Sequence, residues 1–413
     1  MLASKLLQTS TSKLPENLFF QSMSAGVSVG VPSVAYNSVG NNIVSCFAWS
    51  NNIYAYAIKV DGSLLWQKVI TASNSASNPQ ITVNSSGIIF VAYNIATTPS
   101  SIEVVRLSGG GSYVGSTRLS DSVALPLSTD FTACFISDTS GNVYFTCNIS
   151  TTTRKAALIK LDSSGGFLWG VQISDTVAID PQNISIETSG NLLFPVFKTT
   201  SGARRFIYRV SPSGSIVAAY GLFITSTGNG RIISSPDGGI FLAGYNDATT
   251  SGVIKYSSTF TSPTSIAASS SSDTGMTVDI VGDKIVYSVP NNVITIVKTD
   301  LSTLVRKSTS SSTVSHINSR VLNANGSLAL SGTAQSTGAY NDAFLSRLDL
   351  NNINGNYGSL KFTIANVTTT LTTLTPPSSD TVTSTASSYT PTVSSSSPSV
   401  SNSSLTPQLF LKV

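Results

Sequence analysis

Two phrases that recur seven times in step, together with turn signals every 8–12 residues, predict an all-β chain folded as a seven-bladed β-propeller of four-stranded antiparallel blades. The first phrase is an apolar strand end that runs into a tight turn closing on glycine. It reads Val34-Ala-Tyr-Asn-Ser-Val-Gly40, Ile81-Thr-Val-Asn-Ser-Ser-Gly87 and Phe135-Ile-Ser-Asp-Thr-Ser-Gly141, then recurs at Gly190, Gly238, Gly282 and Gly326. These glycines lie 47, 54, 49, 48, 44 and 44 residues apart.

The second strand of each unit follows its glycine as an apolar run, such as Ile88-Ile-Phe-Val-Ala-Tyr93. The third is built around one basic residue: Lys59, Arg106, Lys160, Arg209, Lys255, Lys298 and Arg347. Their spacings of 47, 54, 49, 46, 43 and 49 keep step with the glycines. A fourth strand closes the unit, most clearly in Ser63-Leu-Leu-Trp66 and Gly166-Phe-Leu-Trp169. One such unit cannot bury both of its faces, and stacking seven in a ring does so. A β-helix has a shorter period, and a sandwich does not repeat four-strand units seven times. The repeated base reads as an edge-strand lysine that discourages stray pairing while its stem lies on apolar surface.

Composition fits this reading. The 413 residues are 40% hydrophobic and only 10% charged, against roughly 25% charged in an average soluble protein. Ser, Thr, Asn and Gly fill the difference and supply turn and strand chemistry. Net charge is +4, and basic residues cluster only as pairs such as Arg154-Lys155 and Arg204-Arg205, so no basic stripe for nucleic acid is present. No apolar stretch approaches the ~18 residues of a membrane span. The first ten residues lack the apolar run of a signal peptide, which suggests cytoplasmic synthesis or a numbering that starts after cleavage.

Three cysteines make no disulfide framework. Cys134 and Cys147 flank the turn at Gly141, where a hairpin would let them face each other. Cys46 and Cys147 both stand six residues after their glycines, where Val196, Gly244, Ser288 and Gly332 occur elsewhere and Tyr93 breaks the pattern. That favours reduced cysteines at a small-residue packing position.

The phrase Leu158-Ile-Lys-Leu-Asp-Ser-Ser-Gly-Gly-Phe-Leu-Trp169, with Asp138-Thr-Ser-Gly-Asn-Val-Tyr144, resembles the seven-bladed β-propeller repeat family over about residues 30–362. Such repeats occur in bacterial surface proteins and in structural proteins of phage tails. The resemblance implies a fold and specifies no reaction. Residues 1–29 are expected to form an N-terminal arm and 363–413 a Ser/Thr-rich C-terminal arm. Between Thr363 and Leu411 the only charged residue is Asp380, and Pro391-Thr-Val-Ser-Ser-Ser-Ser is echoed by Pro398-Ser-Val-Ser-Asn-Ser-Ser. Composition supports a disordered linker or a glycosylated stalk. Equally, the spaced Val382, Tyr389, Val393, Val400, Leu405, Leu409 and Phe410 supply anchors for an extended arm, ordered by strand addition to another subunit.

No catalytic, cofactor-binding or metal-binding residue is predicted. The single histidine, His316, has no evident partner, and no His/Cys cluster or calcium loop has ligand spacing. Asp61-Gly and Asp237-Gly are turn dipeptides, and the sequons at Asn148 and Asn183 are expected by chance. The leading expectation is a non-enzymatic virion structural protein, a phage tail component docked through its arms to copies of itself or to other virion proteins. A host-surface glycan or receptor is a further expected partner; nucleic acid and membrane insertion are not. The alternative is a secreted or surface bacterial propeller that binds carbohydrate or protein, and a propeller hydrolase with convergent carboxylates comes last.

Overall fold

The strands of the computed structural model pair into seven antiparallel sheets. The structure describes residues 19–24, 32–59, 62–127, 135–150, 153–198, 204–223, 230–246, 250–269, 277–289, 293–310, 314–322, 327–335, 341–349, 355–356, 363–367, 371–372, 378–380, 385–396, 398–402 and 406–411. Sheet 1 runs from the inside outward as Ser33–Asn37, Asn42–Trp49, Asn52–Lys59 and Leu64–Thr71. Sheets 2 to 6 repeat this order over residues 76–120, 135–174, 179–223, 231–269 and 277–310. Neighbouring sheets touch around a ring, with Ser33–Asn37 packing on Ala76–Val83 to one side and on Val314–Leu322 of sheet 7 to the other, and sheets 3 and 4 meeting through Ile179–Pro181 on Val143–Ile149 and Lys155–Leu161.

Burial follows from this ring. The second strand Ile89–Ile95 is buried along its whole length, as is Val143–Ile149, because both faces of each sheet lie against neighbours. Apolar clusters accordingly span sheet pairs: Val44, Ala55 and Ala57 of sheet 1 pack with Ile89, Val91 and Val105 of sheet 2. Burying each Val, Leu or Ile side chain contributes about 1.5–3 kcal/mol.

The small-residue position of the second strand is a packing site. Cys46, Cys147 and Val196 are fully buried there. Tyr93, which breaks the pattern, is accommodated because its hydroxyl donates to the buried Glu103 carboxylate at 2.7 Å. Cys46 and Cys147 are free thiols, and burial raises both pKa values, that of Cys147 to about 12. Cys134 lies outside the described residues.

The two ends depart from the sequence expectation, which places arms outside the propeller at 1–29 and 363–413. Phe19–Ser24 is the fourth strand of sheet 7, paired with Asn341–Asp349. The C-terminal segment then adds a strand beyond the fourth to every sheet; on sheet 6 the two-residue strand Gly355–Asn356 lies outside it. Thr363–Val367 pairs on sheet 6, Leu371–Thr372 on sheet 5, Ser378–Asp380 on sheet 4 and Thr385–Ser388 on sheet 3. Thr392–Ser395 follows on sheet 2, Ser399–Asn402 on sheet 1 and Thr406–Leu411 on Phe19–Ser24. Strand addition occurs on the chain's own edges. The physical reason is that every radial sheet presents one open outer edge, and a covalently attached segment reaches it at high effective concentration.

The near-repeat of seven is thereby explained. The last six outer strands begin at 371, 378, 385, 392, 399 and 406, one stride of seven residues per sheet. Seven residues span at most ~23–25 Å, which sets the distance between neighbouring outer edges. Pro391 and Pro398 stand immediately before strands, where the missing N–H breaks no ladder bond. Tyr389 pins the path: its N–H donates to Gly170 O at 2.8 Å, and its hydroxyl donates to Asp121 Oδ2 at 2.9 Å.

Candidate functional site: the central cavity

The innermost strands enclose a cavity of about 280 Å³ on the ring axis. Its described lining includes Ser33, Gln80 and Thr82, then Ser137, Asn183, Ser185 and Asp279, between apolar residues such as Ile81, Ile136 and Val278. Each residue arrives there because its strand leads into a glycine turn at the same depth, as Gly87 and Gly141 do after Thr82 and Ser137.

Most of these polar groups are already engaged in closing the ring. Ser33 Oγ accepts from Ile81 N at 3.3 Å, which joins sheets 1 and 2. Ser137 Oγ donates to Val83 O at 2.8 Å, which joins sheets 2 and 3. Asn183 makes a two-way amide clasp across sheets 4 and 5: Nδ2 donates to Ile232 O at 2.6 Å and Oδ1 accepts from Ile232 N at 3.3 Å. Ser185 Oγ accepts from Ser234 N at 3.0 Å beside it. An unmade buried bond of this kind costs about 1–3 kcal/mol, so these side chains belong to the ring's framework. Sequence reading missed them; their signal is a small polar residue inside an otherwise apolar inner strand.

Chemically the cavity is poor in charged and reactive groups. Asp279 is the one carboxylate among its described lining residues. Glycoside hydrolysis uses two carboxyl groups about 5–9.5 Å apart. The volume lies just under the ~300–1,000 Å³ of common small-molecule pockets. Among the described residues no group of three or more His, Cys, Asp and Glu stands where a metal could be held. His316 lies on the inner strand of sheet 7, Val314–Leu322, in register with Thr333; its side chain is outside the description. Asn148 and Asn183 are buried, which keeps both sequons from modification in the folded chain.

The repeated base of the third strand has a different role from the one its sequence suggests. The third strand is interior to its sheet, so its base blunts no edge. Lys160 is only 7% exposed. Its Nζ donates to Pro212 O of sheet 4 at 3.0 Å and sits 5.1 Å over the Tyr144 ring. Burial pulls its pKa below the ordinary lysine value, against the opposing pull of Asp138. Arg209 forks onto Glu187 at 2.8 and 2.9 Å and also donates to Ser258 O of sheet 5. Lys255 Nζ donates to Thr299 O of sheet 6 at 3.2 Å. Lys160, Arg209 and Lys255 therefore each latch onto the third-to-fourth strand turn of the next sheet, while Lys59 and Lys298 are exposed.

The two fourth-strand tryptophans do the same. Trp66 Nε1 donates to Gly109 O at 2.9 Å and Trp169 Nε1 to Pro212 O at 3.0 Å. Their rings lie on Gly111 and Gly214, where a Cβ would stand 2.7 and 2.9 Å from the indole. Both glycines also have positive φ, 79° and 88°, so any other residue is excluded twice over.

The sequence matches no protein-family model and no curated protein. Among solved structures it is similar to the S511A mutant of puromycin hydrolase complexed with PGG, with a TM-score of 0.52 and 12% identity. That match covers 83% of this chain and 54% of the hydrolase, so the chain spans about half of it. BamB from Moraxella catarrhalis gives a TM-score of 0.41 at 12% identity, over 79% of this chain and 90% of BamB. The Dos1 propeller gives 0.45 at 10%, over 79% and 94%. The chain folds as a β-propeller. At such identities the likeness extends to fold alone and carries no activity across.

Proposed function

We propose that this propeller is a non-enzymatic structural module of a larger assembly, with the virion, and a phage tail in particular, as its setting. The observation that carries the reading is the outer segment that gives every sheet an added strand while the cavity's polar side chains are spent on closing the ring. Such a molecule is built to persist as a rigid body rather than to turn over a substrate. A hydroxyl-rich surface with 10% charged residues suits close packing among protein neighbours. Phe19–Ser24 and Thr406–Leu411 are engaged on the chain's own sheets, which leaves the turn-bearing faces and the rim for docking. Mass spectrometry of purified virus particles tests the reading: the chain is expected at a fixed copy number, and its absence would refute the virion setting.

A second reading, a secreted or surface propeller that binds carbohydrate or protein, is favoured by one observation: beside the groups that close the ring, the cavity wall carries the amide of Gln80 and the hydroxyl of Thr82. A secretion signal upstream in the gene, with saturable glycan binding abolished by Thr82→Val, would select it over the virion reading.

A further inference from the structure

We infer, on the footing of the second reading, that the central cavity takes one small neutral polyol the size of a single sugar ring, held by Gln80 and Thr82 of sheet 2. The first observation is a pair of side chains that ring closure leaves unused. The serine and asparagine side chains of the wall are spent on neighbouring sheets. Thr82 is only 7% exposed and lines the cavity, yet its hydroxyl meets no hydrogen-bond partner among the described residues. The Gln80 amide, half-buried on the same wall, likewise meets none. A hydroxyl buried to that degree is costly to leave unpaired, so a ligand group that pairs with it gains more than the same bond gains in water.

The second observation is how the two are placed. Gln80, Ile81 and Thr82 pair in register with Ala92, Val91 and Phe90, so Gln80 and Thr82 leave a regular strand on one side. At ~3.3 Å per residue, their Cα atoms stand about 6.6 Å apart. A ligand that serves both needs polar atoms spread over a like span, as the hydroxyls round a sugar ring are; a lone ion has one centre. Their chemistry agrees with this. An amide and a hydroxyl each donate and accept, as every hydroxyl of such a ligand does, and neither carries charge.

The rest of the wall fits the remainder of such a ring. Ile136, Ile186 and Ile233, on sheets 3, 4 and 5, line the cavity and are only partly buried, which offers apolar surface to the ligand's C–H faces. Asp279 lies on sheet 6, three steps round the ring from sheet 2 and so on the far wall. Its Oδ1 accepts from Ile280 N at 3.1 Å. With no base among the described lining residues, this carboxylate repels an anion, which sets a neutral hexose above its uronic acid. At about 30 Å³ per water, 280 Å³ is the room of about nine waters, enough for one ring and too little for a chain of them.

The test titrates the intact chain with glucose, galactose and mannose, read by calorimetry and by saturation-transfer NMR. At least one is expected to bind saturably, one per chain, with a Kd of about 1 mM or below. Its uronic acid is expected to bind about tenfold more weakly or worse, and Asp279→Asn to narrow that gap. Thr82→Val, which keeps the shape and removes the hydroxyl, and Gln80→Met are each expected to weaken binding about tenfold or more, with circular dichroism unchanged. Thr82→Ser is expected to retain it, and Leu168→Ser on the rim to leave it unaltered. Absence of saturable binding for all three sugars would overturn the inference. So would binding that neither Thr82→Val nor Gln80→Met weakens, or tighter binding of choline, which would give the cavity to a cation. An oligosaccharide bound where single sugars are not would overturn it and leave the second reading standing. A single sugar bound by a chain whose gene lacks a secretion signal would support it and refute that reading's setting.

Discussion

At the scale of single residues, one carbonyl concentrates the logic of the ring. Pro212 O accepts from Lys160 Nζ and from Trp169 Nε1, each at 3.0 Å, so two side chains of sheet 3 hold one turn of sheet 4. Lys160→Met and Trp169→Phe each leave the other donor in place, and each is expected to cost about 0.5–1.5 kcal/mol. Together they leave the carbonyl without either, and the double variant is expected to lose more than the sum, a coupling that a double-mutant cycle in urea denaturation measures. Additive losses would show that the shared acceptor is not what links them. A second residue-scale prediction follows from burial. With thiol pKa values raised, Cys46 and Cys147 are expected to resist iodoacetamide at pH 8 in the folded chain and to react fully in guanidinium, as peptide mapping would show. The base at Lys160 was legible in the sequence as a periodic feature, but its target was not. Pro212 lies 52 residues away, and only the stacking of sheets brings the two together.

At the scale of elements, the C-terminal segment is the part whose order the sequence left open. Its period of seven was visible in Pro391 and Pro398, yet seven matches neither the two-residue period of a strand nor the 3.6 of a helix. The period belongs to the ring's perimeter, which no local pattern encodes. Tyr389 and Val400 were legible as anchors, and both do pack against the sheets. Two deletions separate stride from composition. Removing 392–398, one full stride, is expected to keep sheets 6 to 1 supplied with outer strands and to strip Thr406–Leu411 from Phe19–Ser24. Hydrogen exchange should then lose protection at 19–24 alone. Removing only 392–394 leaves four residues for a step of ~23 Å, and protection should fall at 68–71, 117–120 and 19–24 together. Identical exchange patterns from the two deletions would mean that stride length is unimportant.

At the scale of the whole molecule, the seven-copy repeat predicted the ring, and the sheet pairing shows how the ring is shut. Sheet 7 draws three strands from residues 314–349 and its fourth from Phe19–Ser24. The seventh unit carries a signal of this, because no fourth-strand phrase like Leu64-Leu-Trp66 follows Arg347. Joining the two ends of the chain in one sheet makes the ring's integrity depend on that strand. Removing residues 1–24 exposes Asn341–Asp349 as an edge and also deprives Thr406–Leu411 of its support. Urea unfolding is expected to be a single transition in the full chain and to split in the truncated one, with an early phase confined to sheets 6, 7 and 1 in exchange experiments. One unchanged transition would place ring closure in the inner strands alone.

The outer segment visits the sheets in the order 6, 5, 4, 3, 2, 1, 7, against the order in which they are made. Thr71 of sheet 1 leaves the ribosome 328 residues (399 − 71) before Ser399, its pairing partner. At 5–20 residues per second that is a wait of roughly 15–65 s. During translation, then, the nascent propeller carries a growing set of bare sheet edges, and the last forty-odd residues cover them nearly all at once. Emergence from the ribosome is therefore its most vulnerable period for cross-pairing between chains on one messenger. Pulse-labelled nascent chains halted at residue 362 should be captured by chaperones and cut by protease, and chains released at 413 should become resistant within about one such interval.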